Sequence, residues 1–301
     1  LNDFITEGPQ PLFATCNYAD RGNNTLIPPL LDRFDVAVEA KYCGVANEDA
    51  ISDDFHNDKD EILKNSDLTK KALQILNSGK SYEEVQEGLQ DVTRIYAKLI
   101  LEQEGFSVLT PQEKKQAEEQ IKSISLDRDA HLYFLFLAAE LNVSAKYGDK
   151  RSTDPEDKSN GLYLNSMFAG SSSRRATKAI KRYAKSVAWL QGSKEVNLDH
   201  ILQVAPYALW HRIQWTYDTR QRFKDDERHN PLDLYITKML LSDGSSEVPG
   251  VKKRFMESKE NYQRLLDLVA VGEIQKASEF AENCTADGKG HPLFIDTLRD
   301  L

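Results

Sequence analysis

Helix signals recur from about residue 58 to the end of the chain, and they limit the folds open to it more than any other feature. Ser81–Glu84 and Thr110–Glu113 both have the capping-box pattern, in which a hydroxyl side chain and a glutamate three residues later satisfy free backbone N–H groups. The second pattern also has proline at the first helical position, where its missing N–H costs nothing. Together they predict helices near 82–104 and 111–123.

Three further segments are typical of helices. The apolar run within Leu126–Lys146 is long enough to favour a buried helix over a strand. Residues 176–190 have apolar side chains at helical spacing, and Gly192 closes this amphipathic segment. The last helical segment is expected from Val251 to Asn283. Polar stretches rich in turn-forming residues predict loops at Gly148–Gly161, Lys224–Asn230 and Ser242–Gly250.

The first 45 residues have a different pattern. Residues 10–17 form a short apolar run that ends in a polar residue, which indicates a buried core strand. A second extended apolar stretch, Val36–Ala40, follows the breaker pair Pro28-Pro29. The expected fold is therefore mostly α, with two extended segments within residues 1–45.

Composition narrows the functional classes. The net charge of -9 argues against a general attraction to nucleic acid phosphates, so nucleic acid is not the expected partner. No stretch has the roughly 18 to 20 apolar residues that a spanning helix needs, and the first 25 residues lack a basic and apolar leader. We expect a cytoplasmic protein. Its three cysteines are far apart, which favours buried thiols over a metal site.

Asn17 and Arg33 are the first candidate site residues. An asparagine at the tip of a strand would lie at the carboxyl edge of a sheet, where ligands of open α/β folds bind. Its amide can hold a water in line with a phosphoryl group, because it both donates and accepts hydrogen bonds. Taken alone, Asn17 is more typical of a turn and Arg33 of a surface charge.

The two segments together resemble a known family. Phe13–Asn17 followed by Ile27–Asp35 is similar to the sensor-1 strand and arginine-finger segment of MoxR-type AAA+ ATPases, which read Ala-Thr-x-Asn and then Leu-Pro-x-Ala-x-Leu-Asp-Arg-Phe. The resemblance implies that Asn17 positions the attacking water and that Arg33 reaches into the site of a neighbouring subunit. Cys16 and Tyr18 depart from the usual Gln-Asn-Pro, but the asparagine is kept.

A second match lies downstream. Ser173–Ala176, a Gly-containing turn at Gly192, Val196–Ile201 and Ala208–Ile213 resemble, in this order, the helical lid of the same family. Counting back from Gly192 places Arg175 on the family's sensor-2 arginine, which binds ATP phosphate, with Arg174 as the second candidate. The alternative is that the basic residues of this helix form only a solvated face, which we favour for its lysines. His211 is expected to be a packed structural residue rather than a ligand or base.

Two family motifs have no counterpart in the chain. Gly79-Lys80-Ser81 ends like a phosphate-binding loop, but the required earlier glycine is missing and no strand precedes it, so these residues predict a turn and a helix cap. No apolar strand ends in Asp-Glu. The resemblance places both motifs upstream of Leu1. ATP and Mg²⁺ would then be bound mainly by residues outside this chain, no metal ligands are expected within it, and the chain alone is expected to be inactive.

The expected architecture has three parts. By the resemblance, residues 1–45 would form the end of an α/β AAA+ core, 46–223 a helical lid with inserted helices, and 224–301 a helical extension. The resemblance implies a chaperone-like remodelling ATPase that forms a ring of six subunits and acts on a client protein, with a von Willebrand factor A-type partner. The alternative is a non-catalytic helical adaptor derived from an AAA+ lid. A DNA-translocating ATPase fits the acidic charge less well.

Overall fold

The computed structural model describes residues 12–15, 28–39, 44–45, 48, 65–105, 107–144, 148–149, 163–170, 172–222, 232–241, 250–285 and 291–300. In the first half of this part of the chain the helices are α1 (Pro28–Leu31), α2 (Ser66–Leu76), α3 (Tyr82–Glu104), α4 (Pro111–Ser123) and α5 (Arg128–Asn142). In the second half they are α6 (Leu164–Met167), α7 (Arg174–Leu190), α8 (Leu198–Leu209), α9 (Tyr217–Arg222), α10 (Leu232–Leu241), α11 (Val251–Ala270), α12 (Ile274–Thr285) and α13 (Pro292–Asp300). The mostly helical architecture predicted from the sequence is confirmed.

Strands are short in the described part of the chain. Here β1 (Ser125–Leu126) pairs in parallel with β4 (Glu195–Val196), and β2 (Val143–Ser144) pairs antiparallel with β3 (Gly148–Asp149). The β1–β4 pair joins the start of α5 to the start of α8, since Asp127 N–H donates to the carbonyl of Val196 at 2.9 Å. The two pairs form separate two-stranded sheets, and the described residues contain no larger sheet.

Helix starts follow the sequence closely. Ser81 and Thr110 accept from the backbone N–H of the glutamate three residues later, and each glutamate side chain accepts from the cap's own N–H. The helices run from Tyr82 to Glu104 and from Pro111 to Ser123, so both predicted ranges are confirmed. Gly79 has φ 69°, so the turn predicted at Gly79-Lys80-Ser81 is confirmed too.

The predicted buried strand at residues 10–17 is not formed over 12–15, the part that the structure describes. These residues have no regular secondary structure, and Leu12 and Phe13 are 78 % and 88 % exposed. An apolar strand is buried only against neighbouring strands, and the described residues offer it no sheet to join. The stretch Val36–Ala40 likewise has no strand over 36–39, although Val36 packs against the core.

The core is continuous from α5 to α13. Its centre is aromatic: Phe255 of α11 meets Tyr133 and Phe136 of α5 edge to face, at centroid distances of 5.2 and 5.6 Å. Ala277, Ala281, Leu293 and Phe294 from α12 and α13 belong to the same cluster. The helical segment predicted from Val251 to Asn283 is divided into two helices, because Gly272 at φ 77° turns the chain between them.

The α2–α3 hairpin contributes little to this core. The two helices pack on each other, yet α2 has no buried residue and Ile100 is the buried apolar side chain of α3. By contrast, α4 lies against α7, where Trp189 Nε1 donates to Gln120 Oε1 at 2.8 Å and Lys185 Nζ to the carbonyl of Lys122 at 2.8 Å. The division of the chain at residues 45/46 and 223/224 stays a prediction.

Candidate functional site

Residues 28–39, which we call the docked segment, lie against the end of α8 and the turn that follows it. Ala37 N–H donates to the carbonyl of Tyr207 at 2.9 Å, and Trp210 Nε1 donates to the carbonyl of Ala37 at 2.7 Å. Nε2 of the buried His211 lies 3.0 Å from the carbonyl oxygen of Phe34. These contacts join two segments more than 160 residues apart in sequence.

Arg212 makes more of the hydrogen bonds to the docked segment than the other residues described above. Its side chain is 3 % exposed, and its guanidinium donates to the carbonyl oxygens of Phe34 at 2.5 Å, Asp35 at 3.1 Å and Asp32 at 3.2 Å. A further hydrogen bond, to the carbonyl of Ala208 at 2.6 Å, holds the guanidinium to the end of α8. The planar fork of five donors suits this set of converging carbonyls, so Lys could not replace it.

The carboxylate of Asp32 contacts the start of α7 and Arg212. Oδ1 accepts from Ser173 Oγ, and Oδ2 accepts from Nη1 of Arg175 at 2.9 Å. Nε of Arg212 lies 3.3 Å from Oδ1 as an ion-pair contact without hydrogen-bond alignment. Burial raises the pKa of the Asp32 carboxyl, but the hydrogen bonds from Ser173 and Arg175 and the charge of Arg212 outweigh it. The net result is a pKa below the usual value.

The three predicted arginines have different surroundings. Arg175 pairs with Asp32, yet 59 % of its side chain is exposed. Arg174, beside it at the start of α7, is exposed. Arg33 is exposed as well, and within the described part of the chain its side chain makes no hydrogen bond or ion pair, although its N–H donates to the carbonyl of Leu30 at 3.0 Å. The predicted Asn17 lies outside the described residues.

The structure therefore brings Arg175 to the residue that directly precedes Arg33. Asp32, Ser173 and Arg212, which make this connection, were not singled out from the sequence as site residues. Each of the three lies inside one of the motifs Leu31–Phe34, Ser173–Ala176 and Ala208–Ile213. The sequence could have indicated their contact only through the acidic residue of the first motif and the basic residue of the last, to which no role was assigned. Single residues of opposite charge do not disclose which of many partners they contact.

A second ion pair flanks this connection. Arg182 Nη1 donates to Asp35 Oδ2 at 2.7 Å, with 65 % and 32 % of the two side chains exposed. The prediction of a packed His211 agrees with its burial, which lowers its pKa and outweighs the hydrogen bond to Phe34. The site thus presents exposed guanidinium groups close to the carboxylate of Asp32, whose charge is already paired with arginines. Guanidinium groups placed in this way are suited to binding phosphate oxygens.

Residues 166–231 match the AAA lid domain family. This range contains Ser173, Arg174, Arg175 and Arg212 and therefore the surface on which the docked segment lies. The match supports the interpretation of the chain as a C-terminal part of an AAA+ ATPase. Within the described residues, no group of three or more His, Cys, Asp or Glu side chains could hold a metal ion, and no helix is both long and apolar enough to cross a membrane.

Among solved structures, the chain is similar to the crystal structure of a candidate ATPase from Cytophaga hutchinsonii ATCC 33406 at 2.00 Å. The two share 18 % sequence identity with a TM-score of 0.37, over 71 % of this chain and 52 % of that chain. The chain thus spans about half the length of the protein it matches. No curated protein matches the chain.

Proposed function

We propose that the complete protein is an ATP-hydrolysing, chaperone-like remodelling ATPase of the MoxR type. The observation that carries the proposal is the docking of the Leu31–Phe34 motif on the segment that matches an AAA lid, with Arg33 left exposed. An arginine that serves a neighbouring subunit must be free of its own subunit's carboxylates. Both acidic residues that flank it, Asp32 and Asp35, are engaged by lid arginines instead.

The proposal gives each predicted residue a role. Arg33 reaches the nucleotide of the next subunit and neutralises charge on the transferring phosphoryl group, since a guanidinium is planar and permanently charged. Asn17 positions the attacking water. Arg175 binds phosphate of its own subunit's ATP from the lid, with Arg174 as the second candidate. These guanidinium groups fit phosphate, whereas the described residues offer no carboxylate cluster for Mg²⁺.

Assembly and partners follow from the same roles. A finger supplied by a neighbour requires a heterologous interface that closes into a ring, which we propose to contain six subunits. ATP-driven motion of the lid would act on a client protein in the cytoplasm, together with a von Willebrand factor A-type partner. The net charge of -9 disfavours nucleic acid as that client.

The test is Arg33→Ala in the complete protein. Arginine fingers in other phosphoryl-transfer enzymes contribute about 10³ to 10⁵ in rate, so turnover should fall by a large part of that factor while ATP binding is kept. Arg94→Ala is the matched control, because Arg94 is an exposed arginine of α3 whose contact is a surface pair with Asp91. Hydrolysis at the original rate in Arg33→Ala would refute the assignment.

Mixed rings test the action on a neighbour. Arg33→Ala subunits keep Asn17, and Asn17→Ala subunits keep Arg33, so each variant alone should be nearly inactive. In mixtures, a subunit with Asn17 can face a neighbour with Arg33, and turnover should rise above the sum of the two variants. Turnover that equals this sum would show that Arg33 does not act across an interface.

One observation favours the second function, a non-catalytic helical adaptor. The α2–α3 hairpin exposes Leu73, Leu76, Ile95 and Leu101 at 41 % to 52 %, although it packs little against the core. Exposed apolar side chains that form a continuous patch are typical of a protein-interaction surface. Lack of ATP binding by the complete protein, measured by equilibrium dialysis, would favour the adaptor over the ATPase.

A further inference from the structure

We infer that Asp32 is a positioning residue that couples the nucleotide of one subunit to the arginine finger which that subunit offers to its neighbour. The inference rests on the proposed function and deepens it. It starts from a juxtaposition: the carboxylate that holds Arg175 belongs to the residue adjacent to Arg33 in the chain. The group proposed to read the subunit's own ATP is therefore one ion pair away from the group proposed to act on the next.

The first step is the fixed attachment of Arg33 to the lid. The guanidinium of Arg212, 3 % exposed, binds the carbonyl oxygens of Asp32 and Phe34, the two residues on either side of Arg33. It is held in turn by the carbonyl of Ala208 on α8. Together with the bond to the carbonyl of Asp35, this guanidinium makes three hydrogen bonds to the docked segment. They leave the backbone of Arg33 little freedom, so Arg33 moves when the lid moves.

The second step is the weak attachment of Arg175. It holds Asp32 by one hydrogen bond, from Nη1 to Oδ2, and 59 % of its side chain is in contact with solvent. An exposed pair of this kind contributes little to stability, so little free energy is needed to exchange it. A phosphate group carries more charge than a carboxylate and can bind the guanidinium with two parallel hydrogen bonds. ATP can therefore withdraw Arg175 from Asp32.

The third step is what the exchange leaves behind. Without Arg175, the Asp32 carboxylate still has Ser173 Oγ and the ion-pair contact with Arg212, so it stays ionised in the docked segment. The positive charge of Arg175, which had paired with Asp32, has then left the immediate surroundings of Arg33. Binding of ATP thus changes both the field around Arg33 and the contact between the start of α7 and the docked segment. The neighbour's hydrolysis then depends on the occupancy of this subunit's own site.

The test is Asp32→Asn in the complete protein, with ATP affinity and turnover measured separately. Without the carboxylate, ATP no longer competes for Arg175, and ATP should bind about two- to fivefold more tightly, the equivalent of one exposed ion pair. The substitution also removes the ion-pair contact between Asp32 and Arg212, the residue that holds the backbone on both sides of Arg33. Turnover should therefore fall by about tenfold or more, because small displacements of a reacting group cost up to about 100-fold. If Asp32 were needed only for folding, the substitution would lower both ATP affinity and turnover.

Asp35→Asn is the matched control. Asp35 belongs to the same segment and pairs with another arginine of α7, Arg182, but it has no contact with Arg175. This variant should keep the original ATP affinity, because it leaves the pair between Asp32 and Arg175 in place. If Asp35→Asn reproduced the opposed changes of Asp32→Asn, the effect would be one of net charge, and the inference would be overturned.

A second variant keeps the test open if Asp32→Asn fails to fold. Asp32→Glu retains the charge that competes with ATP for Arg175 but moves the carboxylate by one methylene. Turnover should therefore fall, while ATP affinity stays within about twofold of the original because the exposed pair is kept. Unchanged turnover in both Asp32 variants, with Arg33→Ala inactive, would sink the coupling and leave the ATPase proposal standing. Unchanged turnover in Arg33→Ala would remove the proposed function itself.

Discussion

Glu140 and Arg254 form a two-point ion pair inside the protein. Nε and Nη2 of Arg254 each donate to one oxygen of the Glu140 carboxylate at 2.8 Å, and Glu140 is fully buried. The same carboxylate accepts from the N–H of Leu164 at 2.9 Å and lies 3.1 Å from Nε2 of His291. One buried charge therefore joins α5, α6 and α11 to the start of α13.

Removal of the arginine should be costly. Arg254→Ala leaves the carboxylate of Glu140 buried without its main partner, and breaking a buried pair in this way costs about 3 to 5 kcal/mol. Burial raises the pKa of Glu140, but the charge of Arg254, with the contacts from His291 and Leu164, holds it below the usual value. Urea unfolding of Arg254→Ala should show a midpoint far below that of the original chain.

The control for this prediction lies on the same two helices. Lys259 of α11 pairs with Asp129 of α5 at 2.9 Å, but 27 % and 48 % of their side chains are exposed. Lys259→Ala should therefore cost at most about 1 kcal/mol. Equal losses of unfolding free energy in Arg254→Ala and Lys259→Ala would show that burial does not make the loss of Arg254 more costly than that of an exposed partner.

Acid should weaken the fold below pH 6.5 through His291. Burial lowers the pKa of His291 and outweighs the hydrogen bond and charge of Glu140, while Arg254 lowers it further. The unfolded chain then binds the proton first, so this contribution to stability is complete above about 6.5 and is lost as pH falls towards the folded pKa. The free energy of unfolding should decrease by up to about 1.4 kcal/mol per pH unit in this range.

His291→Gln tests the pH dependence, because glutamine can still donate to Glu140 but does not titrate. Urea unfolding between pH 5 and 7 should give a smaller slope for this variant than for the original chain. His211, whose pKa is also lowered by burial, would supply the slope that remains. His131→Gln, at an exposed position of α5, controls for the loss of an imidazole as such. A slope unaffected by His291→Gln would contradict the prediction.

Local structure was predictable where a few neighbouring residues decide it. Ser81, Thr110 and Gly192 each satisfy or end a helix within four residues of themselves, so short patterns were sufficient. The strand expected at residues 10–17 depended on partners in a sheet, which no local pattern specifies. The break at Gly272 was missed because a single glycine within a helical pattern is often tolerated.

Gly192 should resist replacement for a conformational reason alone. Its φ is 69°, and a Cβ there would meet nothing within 4 Å. Ser193 N–H donates to the carbonyl of Ala188 at 2.8 Å, which closes the end of α7. In Gly192→Ala the left-handed backbone costs about 1 to 2 kcal/mol, to be measured by urea unfolding. Gly192→Asn should cost less, since asparagine adopts this conformation more readily; the reverse order would contradict this account.

The candidate site was predictable only in part. Arg33 and Arg175 were found because a family resemblance connects two motifs that are 140 residues apart, and the structure places them on either side of Asp32. The attachment itself depends on Arg212 and on backbone carbonyls of the docked segment, and carbonyl groups have no sequence signature. Whether Asn17 joins these residues stays a prediction.

Trp210→Phe should loosen the docked segment without unfolding the core. The indole N–H of Trp210 donates to the carbonyl of Ala37 at 2.7 Å, and loss of one such hydrogen bond costs about 0.5 to 1.5 kcal/mol. Ala37 N–H, bound to the carbonyl of Tyr207, should then exchange with solvent about two- to tenfold faster, the same free energy expressed as a rate. Trp189→Phe removes a comparable indole bond, to Gln120 on α4, and should leave Ala37 unchanged. Equal exchange at Ala37 in the original chain and in Trp210→Phe would show that other contacts hold the segment, with those of Arg212 foremost.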